Sequence, residues 1–168
     1  TPASVLADLN SFVDGRQLDD NVHVLLRFEG GAKGMLWASQ VAPGNENGLR
    51  LRIYGDKAGL SWSQENPNYL TFSPLGEPSR LLGRGGPGLT GAAERVTRIP
   101  PGHPEGYLEG FATIYREVAD AIEAKRNGKD QPDEVTFPDL EEGLQGMRFV
   151  DAVLRSHKNG GVWTSLNS

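Results

Sequence analysis

The residues best suited to chemistry lie in one stretch, Pro100-Pro101-Gly102-His103-Pro104-Glu105-Gly106-Tyr107. The imidazole of His103 titrates in the range that suits acid–base work or hydroxyl recognition. Loops held on a rigid scaffold are where binding groups concentrate. Three prolines fix φ here, and Gly102 permits a bend between them. Pro104 suits the first helical position, which would make His103 the cap residue. Glu105 and Glu109 would then oppose the positive dipole end of the helix. A local role for His103, bonding its neighbouring backbone at a helix entry, fits the same pattern.

The remaining groups offer less. His23, His103 and His157 lack metal-ligand spacing among themselves or with carboxylates. His157 falls in a last helical turn, where a cation favours the dipole; His23 falls mid-strand and reads as a paired sheet residue. Gly83-Arg84-Gly85-Gly86-Pro87-Gly88 fits G-x-G-x-x-G. It lacks the strong preceding strand and parallel βαβ context of a dinucleotide loop, and Pro87 interrupts it, so it reads as a flexible loop. Glu141-Glu142 and Asp133-Glu134 read as solvated acidic pairs. No serine lies in a G-x-S-x-G elbow. The three tryptophans at strand positions read as core or interface residues. By themselves these residues assemble no complete active site.

The elements that position them follow from periodicity. Strands are expected over Ser4–Val13, Asn21–Glu29, Lys33–Ala42 and Leu49–Tyr54, around Leu60 and Trp62, and over Tyr69–Ser73. Leu49, Leu51 and Ile53 should point inward. Residues 74–100 read as irregular. A helix should run from the Pro104 turn to about Asn127, with Leu108, Phe111, Tyr115, Val118 and Ile122 as its buried stripe. A second should carry Leu140, Leu144, Met147, Val150 or Asp151, and Leu154 to about Lys158, followed by an edge strand over Val162–Leu166. The fold class is α+β: an open, largely antiparallel β-sheet with two main helices covering one face. The other face would carry Asp8, Asn10, His23, Arg27, Gln40, Arg50, Arg52, Tyr54 and Tyr69 with Leu25 and Leu36, a mixture that suits solvent or an interface.

With 168 residues the chain reads as one domain by size. It has no cysteine, which excludes disulfides, thiolate catalysis and Cys-based zinc sites. A net charge of −5 argues against nucleic acid as a partner. No apolar run approaches the roughly 18 residues of a membrane helix, and no signal peptide precedes the first strand; the expected location is cytoplasmic. The chain opens on Thr1-Pro2 straight into a strand, which reads as a fragment or processed product.

Five segments in order resemble a known family. They are Asn21-Val22-His23-Val24-Leu25-Leu26-Arg27-Phe28-Glu29-Gly30-Gly31-Ala32-Lys33-Gly34; Trp37-Ala38-Ser39-Gln40; Leu51-Arg52-Ile53-Tyr54-Gly55-Asp56-Lys57-Ala58-Gly59-Leu60; His103-Pro104-Glu105-Gly106-Tyr107; and Glu142 through Leu154. Together they resemble the C-terminal domain of the glucose–fructose oxidoreductase/inositol dehydrogenase (Gfo/Idh/MocA) family, over nearly the whole chain.

The resemblance implies that residues 1–168 are the C-terminal substrate and oligomerisation domain of a two-domain NAD(P)-dependent oxidoreductase. It would act on a sugar or polyol by hydride transfer. The family's Rossmann domain, its Glu-Lys-Pro segment and its Asp-x-x-x-His pair precede the point where this chain begins, so no catalytic or cofactor-binding residue is expected here. Substrate contacts implied for this domain are His103, Tyr107, Asn47 and, more weakly, Gln40, whose groups can hydrogen-bond sugar hydroxyls. Tyr107 adds a flat apolar face. The isolated chain should be inert, and should form a homo-oligomer through its open sheet face. The alternative is a stand-alone, non-enzymatic module for sheet-mediated dimerisation or sugar binding.

Overall fold

In the computed structural model, which describes residues 1–167, strand β1 (Pro2–Asn10) is the spine of the first of two compact units. This unit comprises residues 1–44 and the segment from Pro138 onward. Strand β2 (Asn21–Phe28) pairs antiparallel with β1, β3 (Lys33–Ser39) with β2, and the two-residue β8 (Thr164–Ser165) with the other edge of β1. The order is β3-β2-β1-β8. Alternation along β1 buries Val5, Ala7 and Leu9, and Val24 joins them from β2.

Helix α3 (Leu140–Lys158) closes this core. Its buried face is Ala152, Val153 and Ser156, with Phe149 packed beside them. This corrects the expected stripe: Leu140, Leu144, Met147, Val150 and Leu154 are exposed. Two apolar stripes compete on this helix, and the one with small residues lies inward, where Ala152 meets a strand that carries Ala7. The Asp139 carboxylate accepts from the Glu142 N–H at 3.0 Å, and Glu142 reaches back to the Asp139 N–H at 3.0 Å. Glu142 is thus exposed, as expected, and also half of a capping box.

The last turn of α3 finishes the edge of β1 where β8 stops. The Ala7 N–H donates to Ser156 Oγ at 2.9 Å, and that hydroxyl donates to the Val162 carbonyl at 2.7 Å. Leu9 N–H donates to His157 Nδ1 at 3.1 Å. His157 is therefore structural: besides its place in the last turn of the helix, its Nδ1 accepts a backbone N–H of β1.

Strand β1 ends at Asn10, short of the expected Val13. The Asp20 carboxylate takes the N–H groups of Phe12 at 2.9 Å and Val13 at 3.0 Å, which draws the chain out of the ladder. These backbone donors, Phe12 first, with Arg16 also nearby, hold the Asp20 carboxyl below its ordinary value of 3.8. A lowered folded-state value means the stabilisation is present above the unfolded value and is lost as pH falls through the folded one. Asp20→Asn should therefore be less stable than wild type at neutral pH. Thermal melts should show the gap narrowing as pH falls below the ordinary value of 3.8.

The face of this sheet opposite the buried Val5, Ala7 and Val24 carries His23, Leu25 and Arg27 opposite Trp37, Met35 and Lys33. The His23 and Trp37 rings stack with centroids 6.1 Å apart, and Trp37 Nε1 donates to Asn21 Oδ1 at 2.8 Å. The Arg27 guanidinium lies 3.8 Å over the Trp163 ring. Leu36 does not belong to this face; it pairs with Val24.

The second unit, Asn45–Phe137, is a separate antiparallel meander. Its strands are β4 (Arg50–Tyr54), β5 (Ala58–Ser63), β6 (Tyr69–Pro74) and β7 (Arg80–Gly83), paired in that order. The α+β class with open antiparallel strands stands, but the strands divide into two four-stranded sheets. Asp8, His23 and Arg27 thus belong to one sheet, and Arg50, Arg52, Tyr54 and Tyr69 to another. All five residues of β4 are exposed, so Leu51 and Ile53 do not point into a core; β4 is an edge strand with one neighbour.

The region expected to be irregular contains β7, too short to show alternation, and a five-residue helix α1 (Gly91–Arg95). Helix α2 (Tyr107–Arg126) starts three residues later than Pro104 would place it. Gly106 is its cap, and Glu109 accepts from the Gly106 N–H at 2.8 Å. The buried residue on α2 is Glu117, which takes Arg95 at 2.7 Å and the Thr136 N–H at 3.0 Å. The Arg95 hydrogen bond, then that of Thr136, holds the Glu117 carboxyl below its ordinary value. At about 100° per residue, Leu108 and Tyr115 lie roughly opposite Glu117. Leu108, Phe111, Tyr115 and Ile122 are accordingly exposed, against expectation.

Candidate functional site

The turn between α1 and α2 is held from below by one guanidinium. Arg84 follows the last residue of β7, and its N–H donates to the Asn68 carbonyl at 2.8 Å. From there Nε donates to Asn68 Oδ1 at 2.9 Å, and Nη1 to the Ile99 carbonyl at 2.9 Å. Nη2 donates to the carbonyls of Pro100 at 3.3 Å and His103 at 2.6 Å. Nη1 also pairs with Glu105 Oε2 at 2.6 Å. A planar fork of five donors suits this convergence of acceptors, where an ammonium does not.

Glu105 completes the other side. It is buried, and its carboxylate accepts from the Arg98 N–H at 3.0 and 3.2 Å, while its own N–H donates to Asn68 Oδ1 at 3.1 Å. These bonds keep Glu105 out of a helical turn, which is why Pro104 does not start α2. Arg98 donates to the Glu109 carbonyl and to Thr113 Oγ1, each at 2.9 Å. The Gly106 N–H, and secondarily the other groups around Glu109, hold its carboxyl below the ordinary value. Gly106 passes close to Pro67: a Cβ there would lie 2.8 Å from the proline Cγ.

Within the second unit, β5, β6, β7 and the start of α2 line a cleft of about 780 Å³. Trp62, Tyr69, Leu82, Tyr107, Phe111 and Ile114 make its walls mostly apolar, with Arg84, Arg98, Glu105 and Glu109 among its polar groups. Tyr107 is largely exposed at 67% and packs on Phe111, ring centroids 5.0 Å apart and tilted by 58°. A tyrosine face with a free edge and nearby amide and hydroxyl groups can take a ring with an apolar side and hydroxyl rim.

The expected substrate contacts are placed unevenly. His103 and Tyr107 share the turn, but only Tyr107 lines the cleft. The His103 ring is exposed, and Nδ1 lies 3.3 Å from the Pro100 carbonyl, its local role. Asn47 is exposed in the loop before β4, outside the cleft lining, with its carbonyl accepting from Leu49 N–H at 2.8 Å. Gln40 belongs to the first unit, its N–H donating to the Asp20 carbonyl at 2.7 Å. Arg98 and Asn68 carry no signal in the sequence, Arg84 stands out only inside the glycine-rich loop, and Glu105, expected to oppose the dipole of α2, is instead buried against Arg84. The available signal was an arginine amid four glycines, followed by a glutamate between Pro104 and Gly106.

The Gly83–Gly88 loop follows a strand that is antiparallel to its neighbour and precedes only the five-residue α1. It therefore does not present a helix N-terminus of the βαβ kind to a pyrophosphate. Among the described residues, no group of three or more His, Asp or Glu is placed to hold a metal ion. No helix among them is long and apolar enough to cross a membrane.

The architecture is that of an α+β domain built on open antiparallel sheets, with a clamped polar turn beside an aromatic cleft. The chain belongs to the Gfo/Idh/MocA oxidoreductase family: residues 3–166 match the family described as "Oxidoreductase family, C-terminal alpha/beta domain". It is 39% identical over 161 residues to the uncharacterized oxidoreductase YfiI of Bacillus subtilis, covering 95% of this chain and 41% of that protein. A solved oxidoreductase from Sinorhizobium meliloti is 58% identical with a TM-score of 0.91, covering 96% of this chain and 46% of the other. An inositol dehydrogenase homolog from Azotobacter vinelandii, solved with NADH and myo-inositol, is 35% identical with a TM-score of 0.92, covering 98% of this chain and 44% of the other. The chain thus spans less than half the length of these relatives.

Proposed function

We propose that this chain is the C-terminal, substrate-side domain of an NAD(P)-dependent oxidoreductase that acts on a sugar or polyol. The observation that carries this reading is the match to the Azotobacter vinelandii inositol dehydrogenase homolog, which holds NADH and myo-inositol. The antiparallel setting of Gly83–Gly88 supports placing the dinucleotide elsewhere. The nicotinamide is therefore assigned to a Rossmann domain outside this chain, where it would accept or return hydride. The residues here bind and orient. Tyr107 offers its ring to the C–H face of the substrate and its hydroxyl to a substrate oxygen. His103, Asn47 and Gln40 are further hydrogen-bonding candidates for sugar hydroxyls.

Self-association through open sheet surface belongs to the same proposal. Support comes from apolar side chains left exposed in each unit, among them Met35 and Trp37 in the first and Leu51 and Ile53 in the second. Large exposed apolar patches mark interaction surfaces. We assign the protein to the cytoplasm.

The test compares the 168 residues alone with the intact oxidoreductase that carries them, following nicotinamide absorbance with myo-inositol and a panel of related polyols and sugars. The intact protein should reduce NAD or NADP with at least one of them. The isolated chain should give no turnover and no NAD(P) binding at millimolar concentration. Binding or turnover by the isolated chain would overturn the division of labour.

A further inference from the structure

We infer that Arg84 is a positioning residue for substrate recognition: it sets the geometry of the turn that presents His103 and Tyr107, and so controls affinity for the sugar or polyol through its bonds to that turn. This rests on the sugar or polyol reading above. Three carbonyls of a five-residue segment, those of Ile99, Pro100 and His103, point at one guanidinium. The segment then closes through Glu105, which pairs with the same guanidinium. Asn68 locks both ends, with its Oδ1 taking Arg84 Nε and the Glu105 N–H. No residue in the segment belongs to a helix or strand. Its shape is therefore set by these bonds and by its prolines.

The glycine-rich loop gains a purpose in this arrangement. Gly85 has a φ of +68°, and a Cβ there would lie 3.2 Å from Thr97 and 3.3 Å from Pro101. The loop can thus approach the proline turn closely while its arginine reaches under it. The motif that resembles a phosphate loop in sequence works as a clamp on the recognition turn.

Lysine in place of arginine keeps the charge opposite Glu105 but loses the fork, so it cannot serve all the carbonyls at once. In the intact oxidoreductase, Arg84→Lys should raise the KM for the polyol about tenfold while changing the KM for NAD(P) and kcat less than about twofold, the pattern of lost substrate positioning. Added guanidinium at concentrations that leave wild type folded should partly restore the polyol KM of an Arg84→Gly variant. Should Arg84→Lys fail to fold, Glu105→Gln, which keeps an acceptor oxygen and drops the charge, should show the same split to a smaller degree. An unchanged polyol KM in a folded Arg84→Lys protein, or equal losses for polyol and nicotinamide, overturns the assignment while leaving the proposed function in place. A wild-type enzyme that oxidises no sugar or polyol overturns the functional reading, and the assignment with it.

Discussion

Truncating Arg84 to alanine should destabilise the second unit by about 3–5 kcal/mol, the range for stranding one partner of a buried ion pair. The Glu105 side chain is 3% exposed and that of Arg84 16%, so the carboxylate left behind has little water to turn to. It keeps the Arg98 N–H at 3.0 Å, but the Arg98 guanidinium stands off at 3.9 Å. The carbonyls of Ile99, Pro100 and His103 lose their donor as well, though these are near solvent and cost less. Removing both partners, Arg84→Ala with Glu105→Ala, should cost less than the sum of the single changes, because no charge is then stranded. Urea unfolding followed by tryptophan fluorescence checks this through Trp62, which belongs to the same unit. A single-variant loss below about 1 kcal/mol would place the pair among surface ion pairs of little worth.

The second large effect is expected in the first unit. Ser156→Ala should cost about 1–3 kcal/mol, the price of leaving a buried polar group without its partner. Ser156 is fully buried, and its hydroxyl stands between the Ala7 N–H and the Val162 carbonyl. Alanine removes one oxygen and creates almost no cavity, so the loss reads hydrogen bonding rather than packing. The companion change His157→Ala removes the acceptor for the Leu9 N–H. Its cost should be smaller, about 0.5–1.5 kcal/mol, because the imidazole is half exposed and water can replace it. Thermal melts of the two variants should therefore rank Ser156→Ala well below His157→Ala. Losses below about 0.5 kcal/mol for both variants would mean that β1 does not depend on the helix to finish its edge.

Much of the fold was legible because the strands are short and regular. The alternation of Val5, Ala7 and Leu9, and of Val22, Val24 and Leu26, names the core face of the first sheet directly. The Gly160-Gly161 pair marks the end of α3, whereas the Asp139 and Glu142 capping box at its start shows only in the structure. What failed to show was rotation. Both long helices carry a bulky apolar stripe, yet α3 turns Ala152 and Ser156 inward and α2 turns Glu117 inward. Hydrophobic periodicity favours large side chains, whereas close helix–strand approach favours small ones, and a buried glutamate with an arginine partner leaves no apolar trace.

The candidate site was half legible for a similar reason. Proline and glycine punctuation locates the turn, and histidine and tyrosine advertise themselves. The residues that shape the turn do so through backbone carbonyls at Ile99, Pro100 and His103, which every sequence carries alike. Arg84 is separated by fifteen residues from the first of these, so no local pattern links it to them. Helix entry was misplaced because Pro104 is a good first helical residue on its own, while Asn68 and Arg84 hold the next residue away from helix.

We propose that this domain recognises the sugar or polyol while another part of the protein holds the nucleotide. Steady-state kinetics of Tyr107→Ala in the intact oxidoreductase tests it most directly, with polyol and NAD(P) varied in turn. Tyr107 lines the cleft and is largely exposed, so the substitution should leave folding unchanged. The account predicts a rise of about tenfold or more in the KM for the polyol, with the KM for NAD(P) held within about twofold. An unchanged polyol KM, or a rise confined to NAD(P), would contradict it.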